Sequence, residues 1–241
     1  MSNFGSSEFG PAVFGGDPSF SGLLLDVDAE VTTLARRYLA RRTTDGTAIK
    51  TIEFSLGQGG VDLFSYTTAI PVNPDAQTLE LPLTLSPIVL PGTLSTVAAT
   101  ITIATTDDLT AILRPDYQVE VTTGSGVETL VVEEVTATNF TVTTPASWTD
   151  PFATGTIKPY VAGAKNITQY EHANPHSGTT YCVVTATEAN ETLSEIGIWA
   201  IVKCSPYQAE VGTTFLAAIA HFPLVCKNSS MSYAFRVNVQ F

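Results

Sequence analysis

From Ile49 to Phe241 the chain is dominated by threonine, valine, isoleucine and aromatic residues, and proline or glycine interrupts it at short intervals. Branched and aromatic side chains suit the pleated, half-buried surface of a sheet and lose rotamer freedom in a helix. Strands are therefore expected over Ile49–Leu56, Thr78–Leu83, Thr100–Ala104, Tyr117–Thr122, Thr129–Thr136 and Phe140–Thr144. Further strands are expected over Thr156–Val161, Tyr181–Ala186, Glu195–Val202, Phe215–Phe222 and Tyr233–Phe241. In the last of these Tyr233, Phe235, Val237, Val239 and Phe241 alternate with Ser232, Ala234, Arg236, Asn238 and Gln240, which is the period of two that a strand imposes. The expected fold is mainly β: a β-sandwich-like domain with an N-terminal extended arm and one helix, plus an inserted small β-barrel module.

Four parts are distinguished along the chain. Residues 1–25 read as an extended arm, in which Phe4, Phe9, Phe14 and Phe20 are interleaved with glycines and follow neither a helical nor a strand period. Glycine makes such a segment costly to order by itself, yet disordered tails are usually poor in aromatics. The arm is expected to plug its phenylalanines into a neighbouring subunit, the plainer reading being a tail.

Residues 26–42 read as an amphipathic helix. Val31, Leu34, Ala35, Tyr38 and Leu39 recur at helical spacing, with Asp26 or Asp28 as cap. Arg36, Arg37, Arg41 and Arg42 lie toward its end, where cations complement the helix dipole, and Thr43-Thr44-Asp45-Gly46 stops it. Residues 43–95 and 160–241 form the main β domain. Residues 96–159, with a hairpin turning at Gly124-Ser125-Gly126, form the inserted small β-barrel module.

The bulk composition narrows the function. A net charge of −12 opposes nucleic-acid binding, which needs clustered lysine and arginine, and docking on an anionic membrane. Only 14% of residues are charged while 44% are hydrophobic, which suits a surface covered by neighbours more than a free monomer. No signal peptide and no apolar run of membrane-spanning length is visible. Cys182, Cys204 and Cys226 lack CxxC spacing and read as small core residues of a protein made in a reducing cytosol, a disulfide between two of them being the alternative.

Catalytic patterns are missing. In Glu171-His172-Ala173-Asn174-Pro175-His176 the histidines are four apart, but Pro175 forbids the helix that would bring them to one metal. Asp107-Asp108 and Glu133-Glu134 are sequence neighbours, which on a strand face opposite ways. His221 sits in an apolar run and reads as a core or interface residue. Ser55-Leu56-Gly57-Gln58-Gly59-Gly60 is glycine-rich without the lysine and helix that cradle phosphate, and reads as a turn. No catalytic residue, metal ligand or cofactor is assigned, and no enzyme is expected. Trp148, if exposed, would offer a sugar-stacking platform, whereas Trp199 within an apolar strand reads as core.

Three stretches together resemble bacteriophage tail-collar fibre and tail-fibre attachment domains. The first is the helix followed by Ile49 to Gly60, a strand running into a glycine-rich turn. The second is Asn190-Glu191-Thr192-Leu193-Ser194-Glu195-Ile196-Gly197-Ile198-Trp199. The third is Phe215 to Lys227 leading to Met231–Phe241. The resemblance covers about half the chain, in the order these domains use, and the inserted module lies outside it. It implies a virion protein of the tail, baseplate or collar that joins tail fibres to the particle as an oligomer, a trimer or a hexameric arrangement. The chain closes on its last strand where family members continue into a fibre, so an adaptor is expected rather than a receptor-binding tip. The expected partners are itself, through the arm and the arginine-bearing helix, and other tail, baseplate or fibre proteins. A carbohydrate-binding module contacting a host glycan at Trp148 is the alternative.

Overall fold

The computed structural model describes residues 22–240 except 63, 98, 106, 144–145, 149–152, 168 and 175–176, with the backbone alone described at 66, 169–174, 177 and 240. Phe4, Phe9, Phe14 and Phe20 therefore lie outside the described residues.

The first element is β1 (Gly22–Val31), not the end of an arm and the first turns of a helix. Val27, Ala29 and Val31 are buried while Asp26, Asp28 and Glu30 are exposed, so this segment obeys a period of two. The helix α1 spans Thr33–Thr44. Its cap is Thr32, whose hydroxyl accepts from the Ala35 N–H at 3.2 Å, rather than Asp26 or Asp28. Leu34, Ala35, Tyr38 and Leu39 face the core as expected, and Val31 reaches the same core from the strand.

The chain continues as β2 (Ala48–Gly57) and a small hairpin of β3 (Val61–Asp62) and β4 (Ser65–Ala69). The module is built from β5 (Ile88–Val89), β6 (Thr93–Val97), β7 (Thr100–Ala104), β8 (Gln118–Thr123), β9 (Gly126–Val135), β10 (Asn139–Val142) and β11 (Thr154–Lys158). The remaining strands are β12 (Lys165–Asn166), β13 (Gln169–Asn174), β14 (Ser177–Val184), β15 (Thr192–Cys204), β16 (Thr214–Cys226) and β17 (Ser232–Gln240).

Eight strands form the main sheet in the order β12-β2-β15-β16-β1-β17-β14-β13. It folds over at β1, which runs parallel to β17 from Gly22 to Ala29 and then pairs with β16 through Glu30 and Val31. The two halves enclose one apolar core: Phe54, Ile196, Ile198 and Ala218 meet Cys182, Phe235 and Val237. This is the sandwich-like domain. The module's seven strands run β5-β11-β8-β9-β10-β7-β6, and the Leu94 N–H donates to the Ala153 carbonyl at 2.8 Å, nearly closing the sheet into a barrel.

Residues 70–87, where a strand was expected over Thr78–Leu83, form a proline-interrupted strap across the outer face of β15 and β16. Strap residue Leu79 packs with Trp199, Leu216 and Ile219. The strap is pinned by Gln58 N–H to Leu81 carbonyl at 3.0 Å and Leu83 N–H to Leu56 carbonyl at 2.8 Å. Pro82 has no N–H to give a ladder, so the segment borders the sheet without joining it beyond a single bridge to Gly57.

The same outer face also carries the module. Ile52 of β2 and Ile201 of β15 are buried in the module's core beside Tyr117, Val119 and Ile157. Asp116, in a left-handed backbone conformation (φ 76°), binds Lys50 at 3.0 Å and Lys203 at 2.7 Å, and Tyr117 donates its hydroxyl to the Ile167 carbonyl. Burial works against the Asp116 carboxylate, but the two lysines outweigh it and hold it below its usual range.

Candidate functional site

β15 carries the sandwich core on one face and the strap on the other, so every residue from Leu193 to Val202 is buried. A charged side chain in such a strand needs a built environment. Glu195 is 0% exposed and stands directly opposite His221 on β16. Register shifts between Leu193↔Val225 and Glu195↔His221, with the surplus residues on β16, and the Glu195 carboxylate faces the strap.

One Glu195 oxygen (Oε1) accepts the Glu80 N–H from the strap at 3.1 Å and lies 3.4 Å from His221 Nε2. The other, Oε2, lies against the glycine-rich turn: a Cβ on Gly57 would come 2.4 Å from it, and one on Gly59 3.3 Å. On the far side of the imidazole, Nδ1 is 3.1 Å from the Ile70 carbonyl. Ile70 in turn donates its N–H to the Gly60 carbonyl at 3.0 Å, and Gly60 donates its own to Ser194 Oγ at 3.0 Å. Turn, strap, β15 and β16 are thus joined through one carboxylate and one imidazole. Burial disfavours the imidazolium, yet Glu195, the Ile70 carbonyl and Glu80 more than compensate and raise the His221 pKa above its ordinary value. The strap side of His221 opens to a groove of about 410 Å³ bordered by Asp75, Gln77, Glu80 and Ile219.

A second ionic cluster fixes the loop before β15. Lys165 binds Glu188 at 2.5 Å, both under a tenth exposed, and Glu188 also accepts the Thr185 N–H at 3.0 Å. Burial opposes the Glu188 carboxylate, and Lys165 and Thr185 overcome it, holding its pKa low. Lys227 donates to Asn190 Oδ1 at 2.8 Å and lies over the Tyr233 ring.

The residues singled out in the sequence fall elsewhere. Arg36, Arg37 and Arg42 are exposed on α1. Arg41 is not free for docking: it binds Asp45 and Glu210 at 2.9 Å each, donates to Ser205 at 3.1 Å and lies between the Tyr38 and Tyr207 rings. It ties the helix to the β15–β16 connection. Replacing Arg41 by alanine is therefore expected to lower the thermal midpoint, while the triple replacement of Arg36, Arg37 and Arg42 by serine leaves it unchanged. Calorimetry of the two variants checks this separation.

Trp148 is only 5% exposed, inside the module core, and presents no face on which a sugar could stack. Trp199 is buried, as expected. Of the cysteines only Cys182 is a core residue; Cys204 and Cys226 are exposed. His176 and the His172 side chain lie outside the described residues. Among the described residues no cluster of three or more histidine, cysteine, aspartate or glutamate side chains could hold a metal, and no helix is long and apolar enough to cross a membrane. The pairing of Glu195 with His221 was not anticipated. Its signal was there: a carboxylate and an imidazole, each inside an otherwise apolar strand. No family model, curated protein or solved structure matches the chain.

Proposed function

We propose that the chain is a bacteriophage virion structural protein, a tail, baseplate or collar component that anchors or connects tail fibres through oligomeric assembly, and that it is not an enzyme. One observation carries this reading. The three stretches that resemble tail-collar and fibre-attachment domains are far apart in the sequence and packed together in the fold. The glycine-rich turn meets Glu195 through Gly57 and Gly59, and Glu195 meets His221 of the third stretch. Short motifs matched separately are weak evidence, and they gain weight when they occupy a common structural context.

The chemistry of that place favours a structural role. Glu195 and the buried imidazole of His221 tie four segments together, and ties of this kind hold a framework that neighbours can load. Among the described residues β13 ends the main sheet, offering a strand edge to which a neighbour could add. The arm with Phe4, Phe9, Phe14 and Phe20 supplies the apolar plugs of the assembly, and exposed Arg36, Arg37 and Arg42 provide positive charge on an otherwise acidic chain.

Sedimentation of the purified chain is expected to show a trimer or hexamer that dissociates when residues 1–21 are removed. Peptide mass spectrometry of particles from a phage encoding the chain is expected to find it in every virion. A monomer at about 100 μM, well above the range where specific interfaces of ordinary size hold, together with absence from the particles, would refute the assignment.

A further inference from the structure

The hydrogen bonds around His221 constrain its protonation. Nδ1 faces the Ile70 carbonyl at 3.1 Å, and a carbonyl oxygen can only accept, so Nδ1 carries a hydrogen. Nε2 then faces Glu195 Oε1 at 3.4 Å, with side-chain exposures of 3% and 0%. A neutral imidazole with its hydrogen on Nδ1 would turn a lone pair toward a carboxylate, with both side chains almost wholly buried. An imidazolium beside the carboxylate avoids this, and the pair is then neutral overall.

We infer that His221 is held as an imidazolium against Glu195, and that loss of its proton uncouples the strap from the outer face of β15 and β16. The strap touches both members of the pair, through the Ile70 carbonyl on the imidazole and the Glu80 N–H on the carboxylate. Removing the proton leaves a net negative charge there. The other charged groups around the pair deepen the repulsion: Glu80 and Asp75 on the strap itself, and Glu30 on β1 opposite Ile219. Neither Glu195 Oε2 nor His221 Nε2 has a hydrogen-bond partner among the described residues, so the two groups are joined by charge across 3.4 Å, an attraction that ends when the imidazolium loses its proton. Lifting the strap would widen the groove beside His221 and expose Leu79 and Ile219, creating an apolar surface at higher pH.

The direction follows from the geometry. The proton is bound more tightly in the folded protein than in the unfolded chain, so the clamp is complete below the ordinary histidine range and is lost as pH rises through the folded-state titration. Amide hydrogen exchange of the full chain tests this, with rates corrected for intrinsic base catalysis. Protection of the Glu80 amide is expected to fall between about pH 5.5 and 9, in the direction that tighter proton binding in the folded protein sets. The Val237 amide, in β17 away from the strap, reports global opening and is expected to change less. In His221→Gln, which cannot bind the proton, Glu80 protection is expected to be flat with pH. A pH-independent Glu80 amide in the native chain, or a fall that persists in His221→Gln, would overturn the inference. If that variant does not fold, the nitrogen shifts of His221 in the native chain decide. A hydrogen on Nδ1 at every pH supports the latch, and a neutral ring protonated on Nε2 at pH 6 refutes it.

Discussion

Replacing Gly60 by alanine is expected to destabilise the protein by about 3 kcal/mol or more, at the upper end of what overpacking costs. A Cβ at this position would lie 1.8 Å from the Ser194 carbonyl oxygen and 2.7 Å from its carbon, with the His221 Cα at 3.3 Å. All three are backbone atoms of central strands, so no side-chain rotation relieves the clash. Either the turn lifts off β15, losing the Gly60 N–H to Ser194 bond and the Ile70 N–H to Gly60 bond, or β15 itself is displaced. For a chain of this size each kcal/mol moves the thermal midpoint by roughly 2–4 °C, so a fall of about 6–12 °C is expected. Gly178→Ala serves as the control. A Cβ there meets nothing within 4 Å, and the change is expected to stay within about 0.5 kcal/mol. Urea unfolding of both variants measures the difference. A Gly60→Ala protein within about 1 kcal/mol of the parent would mean that the turn is not seated on β15.

Much of the β framework was legible from branched and aromatic composition between proline and glycine breaks, which placed strands over Glu195–Val202 and Phe215–Phe222 although burial on both faces leaves them no alternation. The last strand, expected over Tyr233–Phe241, was legible from its period of two. β1 was misread for an instructive reason. Val31, at the end of the strand, also fits the helical spacing of Leu34, Ala35, Tyr38 and Leu39, and two periods that share a residue cannot be separated by periodicity alone. The strap over Thr78–Leu83 has strand composition, yet Leu79 packs on the sheet face and only residues 81–83 touch the end of β2, a tertiary choice that local pattern does not encode. The arginines were legible as a cluster but not as individuals: only the fold shows that Arg41 is enclosed by Tyr38, Tyr207, Glu210 and Asp45 while Arg36, Arg37 and Arg42 are exposed. Trp148 was undecidable for a similar reason, since exposure depends on which strands close over it. Glu195 and His221 become a site only once β15 and β16 are paired in register and the strap covers them.

Glu53 makes the second large effect, and it acts on the joint between the two β units. It lies on β2, is 0% exposed, and its carboxylate accepts the Tyr160 N–H at 2.6 Å and the Val161 N–H at 3.0 Å, where the chain returns from the module. Burial pushes its pKa up to about 7 from an ordinary 4.5, against the pull of those two donors. Below 4.5 the carboxyl is protonated in folded and unfolded chains alike and contributes nothing to pH dependence. Between 4.5 and 7 the folded protein binds more protons than the unfolded one, so stability falls as pH rises, by about 3 kcal/mol across the window. Above 7 this contribution is constant. The His221 contribution has the same sign but begins higher, near the ordinary histidine value of 6.5, so the two are separable. Glu53→Gln is expected to flatten the urea midpoint between about pH 4.5 and 6.5, leaving only the later fall. Glu53→Ala leaves two buried N–H groups without an acceptor, at about 1–3 kcal/mol each. Its penalty is therefore largest near pH 5 and shrinks toward pH 8, because the parent by then bears the cost of a buried charge that the variant lacks. A parent protein whose stability rises from pH 5 to 8 would show instead that the two backbone donors, and not burial, govern Glu53.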